Sequence, residues 1–265
     1  MLVTTKALVE RAMQLDLAYA IQRMGLIAAR PGNPFGIAIQ DFGQATALAA
    51  SQLPSPRFNR LVGLTPDEAL LLPDILAWFA AQGVSPRIEI RPGSLDAALA
   101  DALARAGFRQ TGFHASLVAQ TTATPALDDV IRPVETPAIM DEFLDTYLAG
   151  WGFPSAIHEG AKGNMRGWLG LPGWHLYLAQ IDGRPAATAI LFLDGEVGYL
   201  ADACVHPAYR GRRLHAALLA HRQNEAVRLG AGLLCGQADF ASTSHRNMER
   251  SGLRLLHTQS EWLAK

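Results

Sequence analysis

Only two cysteines stand in the 265 residues, Cys204 and Cys235. That excludes a disulfide framework and any zinc site built on cysteine–histidine spacing, so no metal is expected. Both thiols lie in apolar, strand-like runs and read as buried and reduced. No run of about 18 uncharged apolar residues occurs, which excludes a transmembrane helix. The first residues run straight into an amphipathic helix from Lys6 to Ala29 with no leader pattern, so no signal peptide is expected and the chain reads as a soluble cytoplasmic protein. Neither sign of charge is in excess: 23 Lys and Arg against 24 Asp and Glu, net −1. A dedicated nucleic-acid binder would carry a field-wide basic surplus, and none exists. The phosphate-cradling glycine motifs are missing too, both Gly-x-x-x-x-Gly-Lys-[Ser/Thr] and Gly-x-Gly-x-x-Gly after a strand. This leaves a globular chain, 49% hydrophobic and 18% charged, long enough for one large or two ordinary domains.

The periodicities that are present alternate between strand and helix. Residues 3–29 read as helix, Pro31 to Pro34 as a turn, and Phe35–Gln40 with Ala45–Ala50 as a hairpin around Asp41 to Gln44. Phe58–Leu64 is a strand. Thr65-Pro66-Asp67-Glu68 then starts a helix with an N-cap, a proline at N1 and a capping-box glutamate, which Pro73 should kink or divide. Arg87–Ile90 is a strand, Ser94 caps a helix over Leu95–Ala106, and Arg109–Ala119 is a strand. The polar, threonine-rich stretch 121–129 reads as a linker. A second series follows: strand Val130–Pro133, a helix from Thr136-Pro137, a loop Gly150 to Pro154, and a helix over Ala156–Leu169. Strands Trp174–Ile181, Pro185–Phe192 and Val197–Val205 come next, then a helix to about Leu229, strand Gly232–Gly236, a helix to Ser251, and strand Leu253–Leu263. Together these give an α/β fold of the α+β mixed-sheet kind, with two domains at 1–120 and 130–265, each a mostly antiparallel mixed sheet flanked by helices.

The stretch Val205-His206-Pro207-Ala208-Tyr209-Arg210-Gly211-Arg212-Arg213-Leu214-His215-Ala216 organises the second series. It is a strand end, a basic turn and a helix start. A helix N-terminus offers unpaired N–H groups and the positive end of the macrodipole, so arginines there are repelled unless an anion sits among them. A phosphate is the natural candidate. The two series also share a register. Arg105-Ala-Gly107-Phe-Arg109 and Arg250-Ser-Gly252-Leu-Arg254 lie 145 residues apart, and the same offset places Arg87–Ile90 on Gly232–Cys235 and Thr65–Glu68 on Arg210–Arg213. The chain therefore reads as a duplicated domain. Acids at the first helix start stabilise an empty terminus, whereas arginines at the second call for a ligand, so the first copy is expected to be structural or regulatory.

Val205, Pro207, Arg210 and Gly211, followed by a leucine-rich helix, resemble the Val-x-Pro-x-x-[Arg/Gln]-x-x-Gly-x-[Gly/Ala] motif of the GNAT superfamily of acyl-CoA-dependent N-acetyltransferases. Arg213 and His215 stand where that family has glycines. Ser242 to Leu253 resembles the family's second motif, with Met248 at the position that often carries a tyrosine acid. The resemblance covers roughly 130–265, and extends to 1–120 only as a degenerate, GNAT-like copy. It implies acetyl-CoA as co-substrate and a primary amine of a small molecule or peptide as acceptor; from the charge balance and the short apolar runs, no nucleic-acid or membrane partner is expected. It implies that Ala203, Cys204 and Val205 line the pantetheine arm, that Arg210, Gly211, Arg212, Arg213, Leu214, His215 and Ala216 hold the pyrophosphate, and that Asn247 touches the arm or braces the loop.

Catalytic candidates are Asp202, a lone carboxylate in an apolar strand, and Tyr199, which lies where some GNAT relatives carry a basic glutamate. Asp202 reads either as base or amine anchor or as a structural partner of an arginine; Tyr199 reads also as a pocket-wall aromatic. Trp151, Phe153 and Glu159, aromatics with one carboxylate, suit a pocket for an apolar or aromatic amine, or equally a helix–loop–helix packed on the sheet. The alternative to an enzyme is a weak or inactive acyl-CoA-binding, regulatory module.

Overall fold

The computed structural model describes residues 2–53, 55–125 and 131–265. They divide into two compact units. The N-terminal unit comprises Leu17–Ala115 with His257–Lys265, and the C-terminal unit comprises Met1–Asp16 with Ser116–Leu256. Each unit thus takes one terminal segment from the far end of the chain, in addition to most of one of the expected halves 1–120 and 130–265.

The first helix, α1 (Lys6–Ala28), contributes to both units. In the N-terminal unit, β1 (Ile37–Phe42) and β2 (Ala45–Ala50) form the hairpin, Ile37 opposite Ala50 and Phe42 opposite Ala45. The strand runs through Asp41 and Phe42, so the turn is tighter than its sequence suggests, with Gly43 at φ 64°. β3 (Arg60–Val62) lies antiparallel to β2. A 3-10 turn over Pro66–Leu71 precedes α2 (Leu72–Ala81), so Pro73 marks the division it should cause. β4 (Arg87–Ile90) pairs parallel with β3. α3 (Ala97–Arg105) is capped by Asp96, whose side chain accepts from Leu99 N. This corrects the expectation of a Ser94 cap: Ser94 Oγ accepts from Arg91 Nε instead, two residues before the helix can start. β5 (Phe108–Gln120) follows, and the last residues of the chain lie antiparallel to β4, Ser260 opposite Ile90. Leu61, Ile75, Ile88 and Leu99, all with no exposed surface, centre this unit's core.

Two devices of this unit bear on function. The helix start at Thr65 is self-sufficient. Glu68 is buried, and its carboxylate accepts from Gln44 N (3.0 Å), Thr65 N (3.2 Å) and Thr65 Oγ1 (2.5 Å). Burial pushes its pKa up, but these donors outweigh burial and hold it below the ordinary range. Beside it, β3 and β4 stay paired up to Val62 and Glu89. An ion network holds them: buried Glu89 takes Arg60 in two bonds of 2.8 Å, Arg87 at 2.6 Å and Gln259 at 3.0 Å.

In the C-terminal unit, β6 (Ile131–Pro133) starts a sheet ordered β10-β9-β8-β7-β6. The expected first strand residue, Val130, and 126–129 of the expected linker lie outside the described residues. Residues before them are tied to this unit: Thr121 Oγ1 donates to Ala231 O and Thr124 N to Asn224 Oδ1. α4 (Pro137–Trp151) is capped by Thr136 as its sequence requires. The expected second helix is shorter. It is α5 (His158–Met165) between 3-10 turns at Ser155–Ile157 and Arg166–Trp168, a division that suits its glycines and the preceding proline. β7 (Trp174–Ile181), β8 (Arg184–Asp194) and β9 (Val197–Val205) form an antiparallel meander. α6 (Leu214–Arg228) crosses over to β10 (Leu233–Asp239), parallel to β9. α7 (Thr243–Arg250), capped by Ser242, and β11 (Arg254–Ala264) complete the chain. Alternation along β7 assigns the two faces: Trp174 meets Trp168 after α5, while Tyr177 meets His221 and Glu225 of α6.

Candidate active site

The site begins where two strands part. β9 and β10 pair from Val197 opposite Leu233 only as far as Leu200 opposite Gly236, although β9 continues to Val205 and β10 to Asp239. Residues 201–205 therefore have their neighbour β8 on one side and an opening on the other. A bulge coincides with the parting. Thr188 faces Cys204 and Ile190 faces Ala201, so Asp202 and Ala203 together oppose Ala189. Asp202 takes a φ of 27°, a rare conformation for a residue with a Cβ. Arg222 of α6, fully buried, holds this irregularity: its Nη1 donates to Ile190 O and Ala201 O, both at 3.0 Å, and its Nε to Leu218 O. Arg222 falls on the apolar Leu214–Leu218 stripe at helical spacing. A charge on that stripe was the one sequence signal that could have found it.

α4 closes the other face. Gly150 lets the helix lie against β9, since a Cβ there would come 2.5 Å from Cys204 Sγ. Tyr147, one turn earlier, is buried and donates its hydroxyl to Asp202 Oδ2 at 3.2 Å. Its carbonyl accepts from Cys204 Sγ at 3.6 Å. Cys204 is buried beside Thr188, and burial pushes its thiol up to about 12, so the thiol stays protonated. Tyr199 lies on the paired part of β9, buried, with its hydroxyl on Asp16 Oδ1 at 2.8 Å. Asp202 and Tyr199 are thus not brought together on one atom: each has its own partner, Tyr147 and Asp16, neither of which the sequence signalled.

The basic turn follows β9 directly. His206 accepts from Ala208 N, and a short 3-10 turn over Pro207–Tyr209 leads to Arg210. Gly211 (φ 80°) and Arg213 (φ 60°) both take left-handed backbone. Arg213 therefore adopts the conformation that a glycine would hold more cheaply. It sits at the N-cap of α6 and gives the helix no side-chain cap, leaving the first-turn N–H groups of Leu214, His215 and Ala216 without that partner. Arg210, Arg212 and Arg213 are all exposed, and among the described residues none pairs with a carboxylate. Arg210 donates to Gly150 O at 3.3 Å, tying the turn to the end of α4, and Arg212 lies over the Tyr209 ring. His215 points inward to Asn247 Nδ2, 3.2 Å from its Nδ1. Burial first, then the Arg222 charge, lower its pKa to about 4, so the ring is neutral and Nδ1 accepts the amide proton. Asn247 thereby braces α7 against α6. Met248 is buried, its thioether end facing the side of Gly236 where a Cβ would stand.

The acceptor candidates disperse around the end of α4. Trp151 is half-buried and tilts against Tyr147 at 6.1 Å, extending an aromatic series through Trp168 and Trp174 to Phe192. Phe153 is exposed, with its carbonyl bonded to the His158 ring. Glu159 is exposed and committed to Lys162 (3.1 Å) and Arg166 (3.5 Å). The Lys162 hydrogen bond, then its charge, lower the Glu159 pKa. Lys162 is itself buried and bonded to Asp145, so this network fastens α5 to α4.

A parallel pair that opens at a bulge, followed by a basic turn into an uncapped helix, sits in a mixed α/β fold. Residues 136–249, somewhat less than half of the chain, match the model of the acetyltransferase (GNAT) family, which places a GNAT domain in this segment. Solved structures share the fold. A GCN5-related N-acetyltransferase from Kribbella flavida is 18% identical with a TM-score of 0.64, covering 94% of this chain and 95% of its own. One from Sphaerobacter thermophilus is 17% identical at 0.60, covering 84% and 81%. A tandem GNAT protein from the clavulanic acid biosynthesis pathway is 13% identical at 0.61, covering 99% and 96%. A comparison with curated protein sequences finds no match. The chain thus has the fold class its sequence implied, and no described helix is long and apolar enough to cross a membrane.

Proposed function

We propose that the C-terminal unit is an N-acetyltransferase that takes its acyl group from acetyl-CoA and passes it to a primary amine of a small molecule or peptide. The observation that carries this is the opening of β9 from β10 directly before three exposed, carboxylate-free arginines. A structural arginine cluster would be neutralised, and a structural strand pair would stay zipped. When bound, the thioester supplies an acyl group to the amine nitrogen, a C–N bond forming as the C–S bond breaks and free thiol leaves.

The remaining work belongs to the chain. Ala203 and Val205 turn backbone groups toward the pantetheine arm, with Cys204 between them laddered to Thr188, and a backbone N–H there is the donor for developing oxyanion charge. The first-turn N–H groups of α6 and the side chains of Arg210, Arg212 and Arg213 hold the pyrophosphate. Asp202 is the one carboxylate on the opened part of β9, and it accepts the proton that the amine must lose. Tyr199, committed to Asp16, serves as wall. Trp151 and Phe153 offer apolar faces to the acceptor at the end of α4, and a cationic amine approaching Asp202 gains from the aromatic rings beside it. Glu159, held by Lys162 and Arg166, orders that rim. Isothermal titration with acetyl-CoA and thiol release over a panel of amines test the reading together. Absence of binding at millimolar coenzyme ends it. Binding without turnover on any amine favours instead an acyl-CoA-binding regulatory module, which the arginine in the left-handed position and the buried methionine in α7 would then explain.

A further inference from the structure

We propose that Tyr147 is the positioning residue that sets the Asp202 carboxylate for its reaction; for the chemistry this rests on the acetyltransferase reading above. Asp202 sits on a bulge at positive φ, at the edge of an opening and half-buried. A short acidic side chain on such backbone has several staggered orientations open to it, and only some point toward an acceptor. Something must select one. Arg222 fixes the backbone beneath it through Ile190 O and Ala201 O.

Tyr147 reaches the carboxylate. Its hydroxyl donates to Oδ2, and its own carbonyl accepts from Cys204 Sγ, so one residue of α4 touches the bulged segment at two points on either side of Ala203. The phenol cannot move to follow a wandering carboxylate. It is 3% exposed and locked among Phe143 (6.1 Å), Trp151 (6.1 Å) and Trp168 (5.6 Å, edge-on). The helix carrying it is registered against β9 by Gly150, whose missing Cβ makes room for Cys204 Sγ. A donor held this rigidly to one oxygen converts a mobile acid into an oriented one, which is what a proton acceptor needs. It also makes the aromatic series through Trp151 part of the catalytic geometry: a change in Trp151 is relayed to Asp202 through the Tyr147 ring.

The test is Tyr147→Phe, which keeps the ring and removes the donor. With acetyl-CoA and the best amine of the panel, kcat is expected to fall about ten- to a hundredfold. The calorimetric affinity for acetyl-CoA and the KM for it stay at the wild-type value, a split that a loosened fold would not give. Adding Tyr147→Phe to Asp202→Asn costs nothing more, because both act through one carboxylate. Crystal structures of wild type and Tyr147→Phe read the positioning without turnover: the carboxylate leaves its wild-type place in the variant. An unmoved carboxylate, or unchanged kcat in an active enzyme, overturns the proposal. If wild type turns over no amine while the carboxylate still moves in Tyr147→Phe, the positioning stands and the acetyltransferase reading fails.

Discussion

The two units start a helix after a strand at corresponding places and fill that start with opposite charge. In the N-terminal unit the buried carboxylate of Glu68 folds back onto the helix start and takes three donors. In the C-terminal unit the start is uncapped and surrounded by exposed arginines. The strands differ in the same sense. β3 and β4 are clasped through Arg60, Arg87 and Glu89 as far as Val62 opposite Glu89, whereas β9 runs on to Val205 after its last pairing with β10, Leu200 opposite Gly236. The N-terminal unit has thus satisfied internally what the C-terminal unit leaves for a ligand. A helix terminus and a parallel strand pair are one device, and a carboxylate or a bulge decides whether it closes on itself or stays open.

That comparison can be broken at several points. The largest effect should come from Asp202→Asn, since the N-terminal unit has nothing to substitute for it: kcat is expected to fall roughly 10²–10⁴-fold with acetyl-CoA affinity retained, as thiol-release kinetics would record. Next is the clasp. Glu89→Ala leaves Arg60 buried without its carboxylate and should cost about 3–5 kcal/mol in urea unfolding of the N-terminal unit.

The same carboxylate predicts an acid response. Burial raises the Glu89 pKa, but the Arg60 and then the Arg87 charges overcome it and hold it at about 2. A depressed carboxyl stabilises the fold above its unfolded value, and that stability drains away as pH falls from about 4.5 toward about 2. Urea-unfolding free energies measured at intervals over that range should fall more steeply with acid in wild type than in Glu89→Ala, which starts lower. A smaller effect, roughly 100-fold in acetyl-CoA affinity by calorimetry, is expected from Arg210→Ala with Arg212→Ala; unchanged binding would separate the arginines from the coenzyme. Smallest is Glu68→Gln, at about 1 kcal/mol of stability. It should bring no coenzyme binding to the N-terminal unit, because β3 and β4 remain paired up to the turn.

Much of this was legible in the chain. The Thr65 and Thr136 caps, the break at Pro73 and the strands 87–90, 174–181 and 197–205 stand where local patterning puts them, because caps, prolines and alternation act over a few residues. The basic turn and its acidic counterpart were equally visible. Less visible were the partners. Asp202 stood out in an apolar strand, but nothing local announced that Tyr147, 55 residues earlier, would meet it, or that Asp16 would take Tyr199.

By itself, then, the sequence determined the periodic elements, their repetition and the charge placed at each helix start, all short-range properties of residues near one another in the chain. Tertiary structure alone decided that β9 leaves β10 at Leu200, that Asp202 sits on a bulge held by Arg222, and that Glu159 belongs to Lys162. Strand register and the pairing of side chains across elements depend on how helices seat against the sheet. That seating is settled by packing among residues scattered along the chain, such as Gly150 against Cys204, and no local pattern encodes it.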